Sequence, residues 1–241
     1  MNSREIISCK GVSKSFGTVA ALSDVTLTIG EGESVAVVGA NGAGKTTLFN
    51  VMLGLCAPDT GGCSILGAPS ANLPPSIRGR LSFVADHAGP IPWASACDIA
   101  RLYRILYPRW NQETFDRLLS SWHIDAFRRL NQLSKGQKRL AELALAAAIE
   151  PGILMLDEPF NGLDAVMRIH VQNLLRSMQR ESGATILYAT HILTELPAVA
   201  DRMIVVRKGT VVYDAALGSD GKQPHEIFSE LYHEDIHGEK P

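Results

Sequence analysis

Gly39-Ala40-Asn41-Gly42-Ala43-Gly44-Lys45-Thr46 fits the pattern G-x-x-x-x-G-K-[ST], and no other part of the chain constrains the fold as tightly. What flanks the pattern makes it informative. Ser34–Val38 is short and mostly apolar, a buried strand of the parallel-sheet kind, and from Lys45 onward Leu48, Phe49 and Met52 read as the apolar positions of a helix. A strand that bends through glycines straight into a helix points consecutive backbone N–H groups and the positive end of the helix dipole at one place, which suits a phosphate group. On this reading Gly39, Asn41, Gly42, Ala43, Gly44, Thr46 and Thr47 belong to the cradle. Lys45 supplies a point charge to the β- and γ-phosphates, and the Thr46 hydroxyl is a ligand for Mg²⁺. The loop predicts a nucleoside triphosphate site.

A second apolar run, Ile153-Leu154-Met155-Leu156, ends in Asp157-Glu158. A strand of this kind delivers both acids at its carboxyl end, where open α/β sheets bind their ligands. Successive side chains leave a strand on opposite faces, so the two acids are expected to take different roles. Asp157 is placed to hold Mg²⁺, mostly through water, and Glu158 to polarise an attacking water.

The remaining pattern fits the same sheet. Val25, Leu27 and Ile29 alternate with Thr26 and Thr28, a half-buried strand, while Ile6-Ile7 and a turn at Gly11 precede it. Residues 56–92 are broken by Pro58, Pro69, Pro74-Pro75, Pro90 and Pro92, which predicts turns and short strands. Ile99, Leu102 and Leu106 then recur at helical spacing, as do Phe115, Leu118, Leu119 and Trp122, with Asn111 as N-cap of the second helix. An alanine-rich helix (Leu140–Ile149) leads into the Ile153 strand, and a helix around Arg168–Arg180 leads into a third strand, Ala184–Ala189. Ile204–Val206 and Val211–Tyr213, joined through Lys208-Gly209, read as a hairpin. Strand and helix alternate around an inserted helical block, an α/β fold with a largely parallel sheet. The polar residues 214–241 are expected to form a short helix and a frayed end.

Composition excludes several classes. Across 241 residues, hydrophobic residues make up 46% and charged residues 20%, too apolar for a disordered chain. The net charge of −2 implies no bulk attraction to nucleic acid. No apolar run approaches the ~18 residues of a membrane span, and the first residues lack the order of a signal peptide. Cys9, Cys56, Cys63 and Cys97 show no spacing of a zinc framework or a disulfide scaffold, which suits a reducing cytosol. Residues 98–139 carry nine basic side chains against four acidic ones, a solvated helical face or a surface near a membrane or an acidic partner.

Leu133-Ser134-Lys135-Gly136-Gln137 resembles the signature sequence of the ATP-binding-cassette (ABC) ATPases. Asp157-Glu158-Pro159 and Asn161-Gly162-Leu163-Asp164 resemble that family's Walker B segment and D-loop, His191 resembles its switch histidine, and Phe16 matches its adenine-stacking aromatic. The resemblance spans about Glu5 to Asp214, in the family's order. It implies a P-loop, RecA-like lobe at about 1–85 and 141–213, with an N-terminal antiparallel β region, a helical lobe at about 86–140 and a tail at 214–241, all in one ABC ATPase domain. It also implies ATP and Mg²⁺ as ligands, and a head-to-tail dimer with a second copy or a related ATPase subunit. In that dimer Ser134, Gly136, Gln137 and Asp164 meet the nucleotide held by the other subunit, and His191 senses the γ-phosphate.

Two positions depart from the family. Asp86 stands where the family carries a glutamine; a carboxylate there could reach Mg²⁺ through water but cannot donate a hydrogen bond when ionised. Lys135 replaces the commoner glycine of the signature. Lys135 and the tract Tyr107-Pro108-Arg109-Trp110-Asn111 are similar to motor subunits of ABC-2-type exporters. The resemblance therefore implies a transporter motor on the cytoplasmic face of the membrane, driving a separate membrane-spanning permease subunit. That permease would dock in the groove beside Asp86, with Ile91, Trp93 and the helix from Ile99. The alternative is a soluble cassette ATPase of cofactor assembly. His233-Glu234-Asp235-Ile236-His237 also fits the zinc-protease pattern H-E-x-x-H, but close to the C-terminus it reads as a solvated tail.

Overall fold

The protein is described here from a computed structural model covering residues 4–86, 91, 93–219 and 221–237, with side chains to Tyr232. It comprises two compact units, one of Leu73–Tyr188 and one of Arg4–Asn72 with Ala189–Pro241.

In the second unit, β1 (Glu5–Phe16) and β2 (Val19–Gly30) form an antiparallel pair. The period of two expected in β2 is present: Val25, Leu27 and Ile29 are buried, Thr26 and Thr28 exposed. Gly11 does not end β1. It sits at φ 59° where the pairing with β2 shifts register between Cys9 and Val12, so the strand runs on through a bulge. Glycine marks turn and bulge alike in a sequence, and here the bulge won. After β3 (Ser34–Val38), buried at all five positions, come α1 (Lys45–Met52), β4 (Thr60–Ile65) and β5 (Ala68–Pro69). β4 pairs antiparallel with β1 and β5 with β4. This register places Cys9 directly opposite Cys63, and the two are joined as a disulfide. The 54-residue separation conceals that contact in the sequence, and the bridge removes the support that cysteine spacing lent to a reducing compartment.

The first unit opens with α2 (Pro75–Arg78), a single turn with proline at N1 inside the stretch expected to lack helix, and β6 (Leu81–Val84). The two expected amphipathic helices are α3 (Ala96–Leu106), closed by a Ser95–Asp98 capping box, and α4 (Gln112–Ser121). Asn111 caps α4 as expected, its side-chain oxygen accepting from the Thr114 N–H at 2.9 Å. α5 (Lys135–Ala148) leads to β7 (Ile153–Asp157), buried throughout and parallel to β6. α6 (Ala165–Ser182) ends at Gly183 in the left-handed conformation and delivers β8 (Thr185–Thr190), also fully buried.

Beyond β8 lie the short α7 (Leu196–Val199), β9 (Arg202–Arg207) and β10 (Thr210–Ala216). β9 runs parallel to β3, from Val35↔Arg202 to Val38↔Val205. The β9–β10 hairpin turns at Lys208-Gly209, both with positive φ, as the twist of a two-residue connection demands. In the segment expected to hold a short helix and a frayed end, the helix is present as α8 (Pro224–His237). The chain is thus an α/β fold: an antiparallel sheet at the N-terminus, parallel strand pairs at β3–β9 and β6–β7, and a helical insertion.

Gly61 meets the Gly11 bulge. It lies at φ 70°, and a methyl group there would fall 2.2 Å from the Gly11 carbonyl oxygen and 2.3 Å from that of Lys10. Gly61→Ala is therefore expected to cost more than the ~1–2 kcal/mol of a left-handed residue alone. Gly62→Ala, with nothing within 4 Å, provides the control. Urea midpoints that fall equally in the two variants would refute this account of the bulge.

Candidate functional site

The phosphate cradle is built by β3 and α1. Gly39 and Gly44 are required by packing: a methyl on Gly39 would lie 2.4 Å from the Val206 carbonyl oxygen, and one on Gly44 2.4 Å from that of Ala21. Gly42, at φ 80°, has open space above it, so its glycine character serves backbone conformation alone. Gly44 occupies the N-cap of α1 at φ 108° and no side chain caps that end. An uncapped helix start behind a glycine bend fits an anion, and the residues present fit a triphosphate. Lys45 is buried, its ammonium donating to the carbonyl oxygens of Gly39 at 2.8 Å and Ala40 at 3.3 Å. Thr46 is exposed and Thr47 half-buried.

Around this loop, Phe16 stands exposed at the end of β1, with the Lys14 ammonium 5.6 Å from its ring centre. An aromatic ring left 55% in water at a strand end suits a stacking partner. Lys14 is held by Asp59 at 2.9 Å; that bond lowers the Asp59 pKa and raises that of Lys14. His191 is exposed, directly after the buried Thr190, whose hydroxyl accepts from the Ile192 N–H at 3.0 Å.

In the other unit, Asp157 and Glu158 close β7, both buried. Glu158 adopts φ 50°, a left-handed conformation that a side chain with a Cβ resists. The organising group beside them is Arg139 of α5, itself 4% exposed. Its guanidinium donates to the carbonyl oxygens of Ala85 at 2.8 Å and of Asp157 and Glu158, both at 3.1 Å. It also reaches the Asp86 carboxylate at 3.4 Å and that of Glu142 at 3.5 Å. Burial lowers the Arg139 pKa against the pull of Glu142, Asp86, Asp157 and Glu158, and burial raises that of Glu142. Asp86, expected near the metal, also accepts from the Asn161 amide at 3.2 Å. Its carboxylate is thereby drawn toward α5 and the D-loop segment.

The signature segment has its own local chemistry. Ser134 caps α5, its hydroxyl accepting from the Gln137 N–H at 3.1 Å while the Gln137 side chain accepts from the Ser134 N–H at 3.1 Å. A methyl on Gly136 would lie 2.5 Å from the Met167 sulfur, so this glycine also lets α5 approach α6. The Lys135 stem lies over Gly162, where an added methyl would fall 2.8 Å from its Cδ. Asp164 caps α6, accepting from the Met167 N–H at 2.8 Å. These contacts fix the segment's shape without a ligand, which the motif alone does not reveal.

The first unit thus gathers Asp86, Asp157, Glu158, Asn161 and Asp164 with the signature residues, and the second gathers the cradle, Phe16 and His191. Sequence reasoning missed Arg139. Its signal is present, since it falls in phase with Gly136, Leu140 and Leu143 on the buried stripe of α5, and a cation on such a stripe demands acceptors. Trp93, with 71% of its surface in water, does not fill a core. A groove of about 640 Å³ in the same unit is lined by Leu73, Arg78, Arg80, Leu106, Tyr107 and Arg109. Among the described residues no group of three or more His, Cys, Asp or Glu could hold a metal ion, and the side chains of the H-E-x-x-H segment lie outside them.

Replacing Arg139 by Met strands these buried oxygens and is expected to cost about 3–5 kcal/mol in a urea titration. Arg139→Lys keeps the charge without the planar fork and should fall between Met and wild type. A Met variant as stable as wild type would dismiss Arg139 as the organising group.

The chain matches the ABC transporter family over residues 22–161. It is 35% identical over 214 residues to the sulfate/thiosulfate import ATP-binding protein CysA of Photorhabdus laumondii, covering 85% of this chain and 59% of that protein. It is also 35% identical to the aliphatic sulfonates import ATP-binding protein SsuB of Zymomonas mobilis, over 83% of this chain and 82% of the relative. With the spermidine/putrescine import ATP-binding protein PotA of Lawsonia intracellularis the identity is 33%, over 86% and 57%. The chain therefore spans little more than half the length of two of these three relatives. Among solved structures it is similar to an ATP-binding subunit of an ABC transporter (TM-score 0.84, 26% identity, 94% of this chain and 99% of the other). It is similar too to a dimeric ATP-binding cassette in a post-hydrolysis state with ADP and Pi (TM-score 0.79, 27% identity, 88% and 99%). With the glycine cradle, the paired acids of β7 and the signature segment all in the family's order, this chain belongs to the ABC transporter family of ATP-binding subunits.

Proposed function

We propose that this chain is the ATP-binding, ATP-hydrolysing motor subunit of an ABC transporter, working on the cytoplasmic face of a membrane with a separate permease subunit. The observation that carries this reading is the uncapped, glycine-led N-terminus of α1 with Lys45 beside it, in a chain of this family. Gly39, Asn41, Gly42, Ala43, Gly44, Lys45, Thr46 and Thr47 hold the triphosphate, Phe16 stacks on the base, and Thr46 and Asp157 hold Mg²⁺. The ion, when bound, neutralises charge on the phosphates. Glu158 orients and deprotonates the attacking water, and His191 reads the γ-phosphate. Asp86 acts through water at the metal while Arg139 and Asn161 set its position.

Two subunits close head to tail on the nucleotide, each offering Ser134, Gly136, Gln137 and Asp164 to the site of the other. The family's two-lobe division, with the helical lobe at about 86–140, serves that closure. Support for a dimer comes from the similar cassette solved as one. The permease docks on the helical lobe near the exposed Trp93, a ring of the kind that anchors interfaces.

Direction of transport is the finer part of the reading. All three relatives carry import in their names, which favours an importer. The exporter reading rests only on the resemblance of Lys135 and the tract Tyr107-Pro108-Arg109-Trp110-Asn111 to motor subunits of ABC-2-type exporters. Uptake against efflux of labelled substrate in vesicles holding the purified complex separates the two.

Glu158→Gln should still bind ATP but hydrolyse it ~10²–10⁴-fold more slowly, the usual worth of a general base. Purified by affinity from detergent-solubilised membranes, the same variant should bring down a multi-span protein in stoichiometric amount. Recovery with soluble partners alone would overturn the transporter reading in favour of a cofactor-assembly ATPase, and wild-type turnover would remove Glu158 from the chemistry.

A further inference from the structure

We propose that Tyr232 of α8 is a positioning residue of the phosphate loop, and that α8 and the nucleotide are thereby energetically linked. The inference rests on the ATP reading above and goes beyond it. The Tyr232 hydroxyl accepts from the Ala40 N–H at 3.2 Å and donates to the Val206 carbonyl oxygen at 3.3 Å. Ala40 is the second residue of the loop. Val206 carries the same carbonyl oxygen that excludes a side chain at Gly39. Loop entry, β9 and the C-terminal helix therefore meet at one oxygen atom, and the tyrosine hydroxyl bridges the first two through a residue 192 positions away in sequence.

The helix that carries the tyrosine is itself anchored. Phe228 stacks on the Tyr232 ring at 4.2 Å with 21° between planes, Ile227 is buried, and the Arg207 guanidinium donates to the Leu231 carbonyl oxygen. α8 also packs against the 3₁₀ turn Leu193–Glu195, which begins two residues after His191. One helix thus touches the entry of the phosphate loop and the exit of the switch-histidine segment, the two places in this unit that would answer to the γ-phosphate. A loop whose entry is already fixed loses less freedom when it closes on a ligand, so the two hydrogen bonds raise affinity without touching the nucleotide. Linkage is reciprocal: whatever α8 gives to nucleotide binding, nucleotide binding returns to α8 as stability.

Tyr232→Phe removes one donor and one acceptor and keeps the stacked ring. In the 241-residue chain, the Kd for ATP and the KM of hydrolysis are expected to rise together by about three- to tenfold, the worth of one neutral hydrogen bond, with kcat within about twofold. Hydrogen exchange gives the reciprocal readout: ATP should slow exchange of the α8 amides in wild type, and that protection should shrink in the variant. Phe228→Leu, which loosens α8 while leaving the hydroxyl in place, should weaken ATP binding in the same direction by a smaller factor. Wild-type ATP affinity in Tyr232→Phe, or α8 exchange insensitive to ATP in the wild-type chain, overturns the link. A wild-type chain that fails to bind ATP at all overturns the functional reading instead, so the two failures are distinct.

Discussion

Oxygen atoms from two strand ends converge on the guanidinium of Arg139, and the geometry of the acidic half of the site depends on that convergence. The ends of β6 and β7 leave carbonyl groups of Ala85, Asp157 and Glu158 pointing inward at a place where water is scarce. A buried carbonyl without a donor costs about 1–3 kcal/mol, and three of them in one cluster would pull the strand ends apart. A planar cation with five N–H groups can answer several at once, which an ammonium cannot. Because Arg139 sits one turn after the Ser134 cap, any shift of the signature segment is felt at the Glu158 carbonyl. The nearby carboxylates of Glu142 and Asp86 offset part of the cost of burying the guanidinium.

Much of this architecture was legible in the sequence because the strongest signals were local. The buried strands β3, β7 and β8 announce themselves as apolar runs, the α4 cap as Asn111, and the β9–β10 turn as Lys208-Gly209. The phosphate loop needs only eight consecutive residues, and the acids of β7 follow their strand directly. Features that depend on tertiary register were not legible. Gly11 read as a turn because nothing in one strand says that its neighbour will shift register there. Cys9 and Cys63 meet only once β1 and β4 are paired. A short helix was legible in residues 214–241, but its anchoring was not, because Val206 and Ala40, the partners of Tyr232, lie far away in sequence.

The site residues divide the same way. Motif resemblance supplies names for Ser134, Gln137, Gly136 and Asp164, and the structure adds that each also shapes a helix start or a helix contact. A residue that caps a helix and meets a ligand is constrained twice, so replacing it alters shape and chemistry together. Arg139 received no name because its work is done on backbone oxygens, which carry no residue identity for a pattern to match. It was detectable only as a cation out of place on an apolar stripe.

Glu158 combines a buried carboxylate with a left-handed backbone, and the two have opposite interests. Glycine would relax the conformation by about 1 kcal/mol and relieve the burial of a charge, at the cost of the group proposed to move the proton. On the role proposed for Glu158, thermal tolerance and turnover are set against each other at a single position. A collection of variants chosen for heat resistance alone would then drift toward glycine here, and keeping glutamate means accepting a left-handed residue with a side chain at the end of β7.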